Sequence, residues 1–195
     1  MHQYKGKLIM HTGSMFSGKT SSLEREMKRF AIAGYKTCAF KPAMDTRDKK
    51  DRITTHDKTY IEAVMVDSVK DIVKFVEENP VDVVGIDEIQ FLGGERKEIL
   101  EDINSLLYDG KTVVVAGLDM DFEAHPFEIV KDLMPICDYI TKHHAVCVKC
   151  GSDAWVSHRK SDDTQRVVIG AQNEYEPICR NCYNLMKKNK DEQKR

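Results

Sequence analysis

Residues 13 to 20 read Gly13-Ser14-Met15-Phe16-Ser17-Gly18-Lys19-Thr20, a full match to G-x-x-x-x-G-K-[ST]. The stretch stands between the short apolar run Lys7–Thr12 and a helical pattern in which Leu23, Met27, Phe30 and Ala31 recur at i, i+4, i+7 and i+8. Strand, glycine-rich turn and helix together make a phosphate-binding loop. The glycines let the backbone curl so that its N–H groups face phosphate oxygens, Lys19 neutralises the β and γ phosphates, and the Thr20 hydroxyl is a ligand for Mg²⁺.

Working outward, Gly34 stands at a helix C-cap position, and 35–40 reads as a second strand ended before Pro42. Residues 45 to 60 show no apolar period and read as a solvated loop long enough to be a lid. Ser68 and Asp71 have capping-box spacing ahead of Val69, Ile72, Val73 and Val76, a helix that stops near Asn79-Pro80. A buried strand follows at 81–86, then a helix with Ile99, Leu100, Ile103, Leu106 and Leu107 on one stripe, then a strand at 112–116. Strands alternating with helices predict an α/β fold, a P-loop-type parallel sheet with helices on both faces.

After about residue 141 the pattern changes. Residues 154–159 and 165–169 read as two strands of a hairpin, bracketed by Cys147-x-x-Cys150 and Cys179-x-x-Cys182. The expected organisation is an α/β nucleotide-binding unit over 1–141, a small metal-held β unit over 142–186, and a frayed charged tail over 187–195. The 28 residues between the cysteine pairs exceed the common zinc-finger interval, and the hairpin accounts for the excess. Four thiolates close a tetrahedral shell with no position left for water, so the expected Zn²⁺ is structural. Cys38 and Cys137 lie in apolar surroundings and read as small buried hydrophobes; His143 and His144 read as strand-end residues rather than extra ligands.

Charged residues make up 32% of the chain, yet the net charge is only −2, so charge argues for no nucleic-acid or membrane partner. With neither a secretory apolar segment near Met1 nor an 18-residue apolar run, the expected location is the cytoplasm. Paired cysteines in that compartment are better read as metal ligands than as disulfides.

Asp87-Glu88 leaves a strand where an α/β sheet presents its ligand-binding edge. Asp87 fits the acidic residue that holds the magnesium shell, which leaves Glu88 to accept a proton from an attacking hydroxyl or water. A merely solvated acidic strand end is the plain alternative.

The phosphate loop, Ile86-Asp87-Glu88-x-Gln90-Phe91, Leu118-Asp119-x-x-Phe122, Pro126-Phe127 and the cysteine pairs occur here in the order seen in one family. With Asp45-Thr46-Arg47, Gly170-Ala171, Tyr175 and Cys179-Arg180-x-Cys182, the chain resembles thymidine kinases of the human cytosolic type over roughly residues 5–184. The resemblance implies transfer of the γ-phosphoryl of ATP to the 5′-hydroxyl of thymidine, giving thymidine monophosphate in deoxynucleotide salvage, with Glu88 as catalytic base. It implies an ATP and magnesium set of residues 13–20 with Asp45, Arg47, Asp87 and Gln90, the lid closing over the phosphates. Met15, Leu118 and Tyr175 stand at the positions around the thymine 5-methyl, and Phe122 where the base packs. Backbone groups of Arg166, Val167, Val168, Ile169 and Gly170 in a zinc-held lasso would recognise the base. Ser157 replaces the threonine of the human pattern with its hydroxyl kept, and Arg166 replaces an apolar residue. Phe127 belongs to the thymidine set, although Phe91 and Phe127 read more simply as core. A methyl-sized niche discriminates by only ~1–3 kcal/mol, so deoxyuridine should be a poorer substrate rather than an excluded one. A homotetramer and feedback inhibition by thymidine triphosphate are also implied.

The rival reading is an ATPase whose zinc ribbon grips DNA; it requires a basic face that the near-neutral charge does not favour.

Overall fold

The computed structural model describes residues 3–45, 52–54, 59–161, 165–166 and 174–193. Nine strands and five α-helices are assigned among them: β1 (Leu8–Gly13), α1 (Lys19–Ile32), β2 (Thr37–Pro42), β3 (Arg52–Thr54), β4 (Tyr60–Val66), α2 (Val69–Glu78), β5 (Val83–Ile86), α3 (Arg96–Tyr108), β6 (Thr112–Leu118), α4 (Glu128–Leu133), β7 (Tyr139–His143), β8 (Val156–Arg159), β9 (Tyr175–Ile178) and α5 (Arg180–Gln193). The first seven strands form one sheet in the order β3-β4-β2-β5-β6-β1-β7, parallel except for β3.

Both faces of this sheet are covered, so successive residues of its central strands are buried alike. Leu8 and Met10 of β1 join Val113 and Val115 of β6 under α2, α3 and α4. Ile9 joins Val114 and Ala116 on the opposite face with Leu23, Met27 and Phe30 of α1. The helix ends follow local chemistry. Ser68 Oγ accepts from the Asp71 amide at 3.3 Å while the Asp71 carboxylate accepts from the Ser68 amide at 3.0 Å, closing the expected box. At the end of α1 the Gly34 and Tyr35 amides donate to Ala31 O and Phe30 O, the paired bonds of a helix stop.

Three expectations need correction. The supposed loop at 45–60 contains β3, antiparallel to β4, and Ile53 is only 3% exposed. One buried residue in a three-residue strand makes no detectable period, and β4 itself went unread. Residues 46–51 and 55–58, with Arg47 among them, lie outside the described residues. Secondly, the partner of β8 among the described residues is β9; of the strand expected at 165–169, Gln165 and Arg166 are in no strand, and 167–169 lie outside the described residues. The strand immediately before Cys179 must run beside β8 to bring that cysteine to Cys147. Finally, α5 continues to Gln193 through the segment expected to fray, because its Lys, Glu and Gln residues are good helix formers and no Gly or Pro interrupts them.

Candidate active site

Because β5, β6 and β1 are neighbours, the residues at their carboxyl ends are neighbours too. Gly13 at the end of β1 is the register partner of Leu118 on β6 and of His143 on β7. The close approach of His143 explains the glycine, since a Cβ at position 13 would lie 2.1 Å from His143 O, and the φ of 133° disfavours any side chain. Lys19 folds back over the loop and donates to Ser14 O at 2.7 Å, where the Ser17 hydroxyl also donates at 2.7 Å. No side chain caps the start of α1, which leaves its first amides directed at the loop.

From the first turn of α1, Thr20 Oγ1 donates to the Asp87 carboxylate at 3.2 and 3.3 Å. Glu88 follows at φ 48°, ψ 44°, a left-handed conformation that costs a non-glycine residue ~1–3 kcal/mol and recurs where a side chain must be aimed. Its carboxylate is buried and accepts from Gln90 Nε2 at 2.5 Å, and Gln90 Oε1 in turn accepts from the Leu118 amide at 3.0 Å. Gly117 makes room for this bridge: a Cβ there would come within 2.8 Å of Gln90 Oε1.

The second sheet reaches the loop where Met15 N donates to Ser157 Oγ at 2.8 Å. Beside it Tyr175 is buried, and Phe122 lies half-buried beneath the Arg159 guanidinium, 3.9 Å from the ring centroid. Phe91 and Phe127 meet edge to face at 6.1 Å as part of the main core, as their plain reading expected. Asp45 turns back onto Pro42 O through its amide. Arg47, Val167, Val168, Ile169 and Gly170 lie outside the described residues.

A thymidine kinase family model matches residues 6–183. The chain belongs to the thymidine kinase family. Similar proteins include the thymidine kinase of Bacteroides thetaiotaomicron, 42% identical over 190 residues, covering 97% of this chain and 92% of that one. The thymidine kinase of Porphyromonas gingivalis is 42% identical over 179 residues, covering 92% and 85%. That of Rhodothermus sp. is 41% identical over 171 residues, covering 88% and 78%. Among solved structures, the flagellar accessory protein FlaH from Methanocaldococcus jannaschii shares the fold alone, with a TM-score of 0.52, 11% identity and coverage of 76% and 75%.

In this thymidine kinase family member the four cysteine sulfurs of 147, 150, 179 and 182 all lie within 4.8 Å of one another. Their chemistry suits a cation. The Ser152 hydroxyl, followed by the Ser152 backbone, draws the Cys150 thiol down to about 6, while hydrogen bonding with Cys179 and Cys150 pushes Cys182 up to about 12. Thiols this close cannot all ionise without a metal among them, and a soft, all-sulfur donor set fits Zn²⁺.

Two features went unread in the sequence. Arg159, 2% exposed, donates to Tyr175 Oη at 2.7 Å, to Arg166 O at 3.3 Å and to Gln165 O. Its signal was period two: Ser157 and Arg159 are polar residues on one buried strand face. The other is His11, whose Nδ1 lies 3.0 Å from His143 Nε2. Burial, then the His143 and Arg25 charges, hold His11 down to about 4; burial, with Lys19 and Arg25, lowers His143 as well. Neutral imidazoles thus sit beneath a cationic loop. Cys38 and Cys137 are half-buried, with burial pushing their thiols up to about 11 and about 12. No helix among the described residues is long and apolar enough to cross a membrane.

Proposed function

We propose that this chain transfers the γ-phosphoryl group of ATP to the 5′-hydroxyl of thymidine, yielding thymidine monophosphate for deoxynucleotide salvage. One observation carries the reading: the phosphate loop, the buried Glu88 and Leu118 stand at the ends of three adjacent strands, with Gln90 bonded to both of the latter. In this reading Glu88 accepts the 5′-hydroxyl proton as that oxygen bonds to the γ-phosphorus, and the bond to the β–γ bridging oxygen breaks to release ADP. Backbone amides of the loop and Lys19 bind the phosphates. Thr20 and Asp87 offer hard oxygen donors side by side and would hold Mg²⁺, which when bound supplies positive charge to the phosphate oxygens. Met15, Leu118 and Tyr175 bound the 5-methyl niche, Phe122 packs the base, and Ser157 and residues 166–170 complete the nucleoside contacts. The 142–186 unit serves as a zinc-held lasso.

The human cytosolic pattern, a homotetramer, feedback inhibition by thymidine triphosphate, closure of the segment bearing Asp45 and Arg47, and a cytoplasmic location belong to the same proposal. The test is incubation with ATP, Mg²⁺ and each common deoxynucleoside. Thymidine should be phosphorylated best and deoxyuridine more slowly; phosphorylation of purine deoxynucleosides but not thymidine would overturn the assignment.

A further inference from the structure

Arg166 makes an ion pair that its position in the motif does not require. Its Nε donates to Asp121 Oδ2 at 2.9 Å, its Nη2 donates to Pro126 O at 2.9 Å, and its guanidinium lies 5.1 Å from the Phe127 ring centroid. The Arg166 side chain is 51% exposed, whereas Asp121 is 3% exposed. Asp121 is fully engaged: Oδ1 accepts from the Glu123 and His125 amides at 3.0 and 2.9 Å, which shapes the turn between β6 and α4. That turn carries Phe122. On its inner side Arg159 stacks on Phe122 and donates to the carbonyls of Gln165 and Arg166.

We infer that Arg166 is a positioning residue for the nucleoside, clasping the 165–166 segment to the Asp121 turn so that Phe122 is held between Arg159 and the pocket. The inference rests on the proposed function for its substrate. A charge-assisted bond to a buried carboxylate is strong where an exposed pair is weak, because the carboxylate has no water to return to when the arginine leaves. Two donors in a fixed fork, reaching both the carboxylate and Pro126 O, set direction as well as attraction. Neither partner touches the phosphate loop, so the clasp should act on nucleoside binding and leave ATP binding alone.

Arg166→Met keeps length and removes the fork. It should raise the thymidine KM about tenfold with kcat and the ATP KM unchanged, and Arg166→Lys should recover part of the loss. Asp121→Asn keeps the Oδ1 bonds to the turn and removes the charge; combined with Arg166→Met it should add little to the single loss. Unchanged thymidine KM in folded Arg166→Met, or equal damage to thymidine and ATP use, would overturn the clasp. Amide hydrogen exchange without ligands gives an independent reading: residues 119–127 should exchange faster in Arg166→Met and approach wild type in Arg166→Lys. Unchanged exchange overturns the clasp, whereas faster exchange in a chain inactive on thymidine overturns only the proposed function.

Discussion

Gln90 donates to Glu88 at 2.5 Å and so fixes the carboxylate proposed as the base, while its other amide atom accepts from Leu118 in the proposed methyl niche. Glu88→Gln keeps the shape and loses only the proton acceptor. It should lower kcat by ~10²–10⁴-fold with ATP and thymidine binding nearly intact, measured by steady-state kinetics beside calorimetric titration. Wild-type kcat in that variant would reject Glu88 as the base.

Ser157→Ala deletes the acceptor of the Met15 amide, a bond that joins the phosphate loop to the second sheet. Leaving this half-buried amide unpaired costs up to ~1–3 kcal/mol, so kcat/KM for thymidine should fall while Ser157→Thr stays near wild type. Equal kinetics for the alanine and threonine variants would show that the hydroxyl is not used.

Zinc should bind at one ion per chain with sulfur-only coordination, which X-ray absorption reads directly; nitrogen or oxygen in the first shell would contradict the cysteine cluster. Cys147→Ser should release metal and disorder β8 and β9, since a two-stranded sheet without its staple has too little core. A variant that loses metal yet phosphorylates thymidine normally would separate this unit from substrate binding.

His11 predicts an acid limit to stability. Its folded value of about 4 lies below the ordinary imidazole value of 6.5, so the native state favours the neutral ring. The contribution is complete above pH 6.5 and drains as pH falls toward 4, reaching about 3 kcal/mol for this shift in a residue only 4% exposed. Urea midpoints should therefore fall across that window, and His11→Leu should flatten the slope. A slope identical to wild type would place the acid sensitivity elsewhere.

Leu118→Ala should enlarge the space beside the 5-substituent. We expect bulkier 5-substituted nucleosides to be accepted and the preference for thymidine over deoxyuridine to shrink by ~1–2 kcal/mol in relative kcat/KM. Unchanged ratios for thymidine, deoxyuridine and a bulky analogue, in a folded variant, would put the pocket wall elsewhere.

Local order was legible because its causes are local. The phosphate loop is eight consecutive residues, the stripes of α1, α2 and α3 repeat every three or four residues, and each cysteine pair is a four-residue word, so motif and period determined the α/β class and both ends of the site. Long-range choices were not legible. Thr20 meets Asp87 across 67 residues, and Gln90 reaches Leu118 across 28, distances over which no period connects partners. The three-residue strand β3 buries one side chain and became a strand only by adding to β4. The pairing of β8 with β9 accompanies the gathering of four sulfurs from two cysteine pairs with 28 residues between them, a long-range condition that no period records. In sequence Arg159 ends an expected strand and Arg166 opens a segment expected to act through its backbone, so neither reading names a partner for the side chain. Tertiary structure gave one a ring to stack on and the other a buried carboxylate, because a charged side chain finds its partner through the packing of the whole chain and not through its neighbours in sequence.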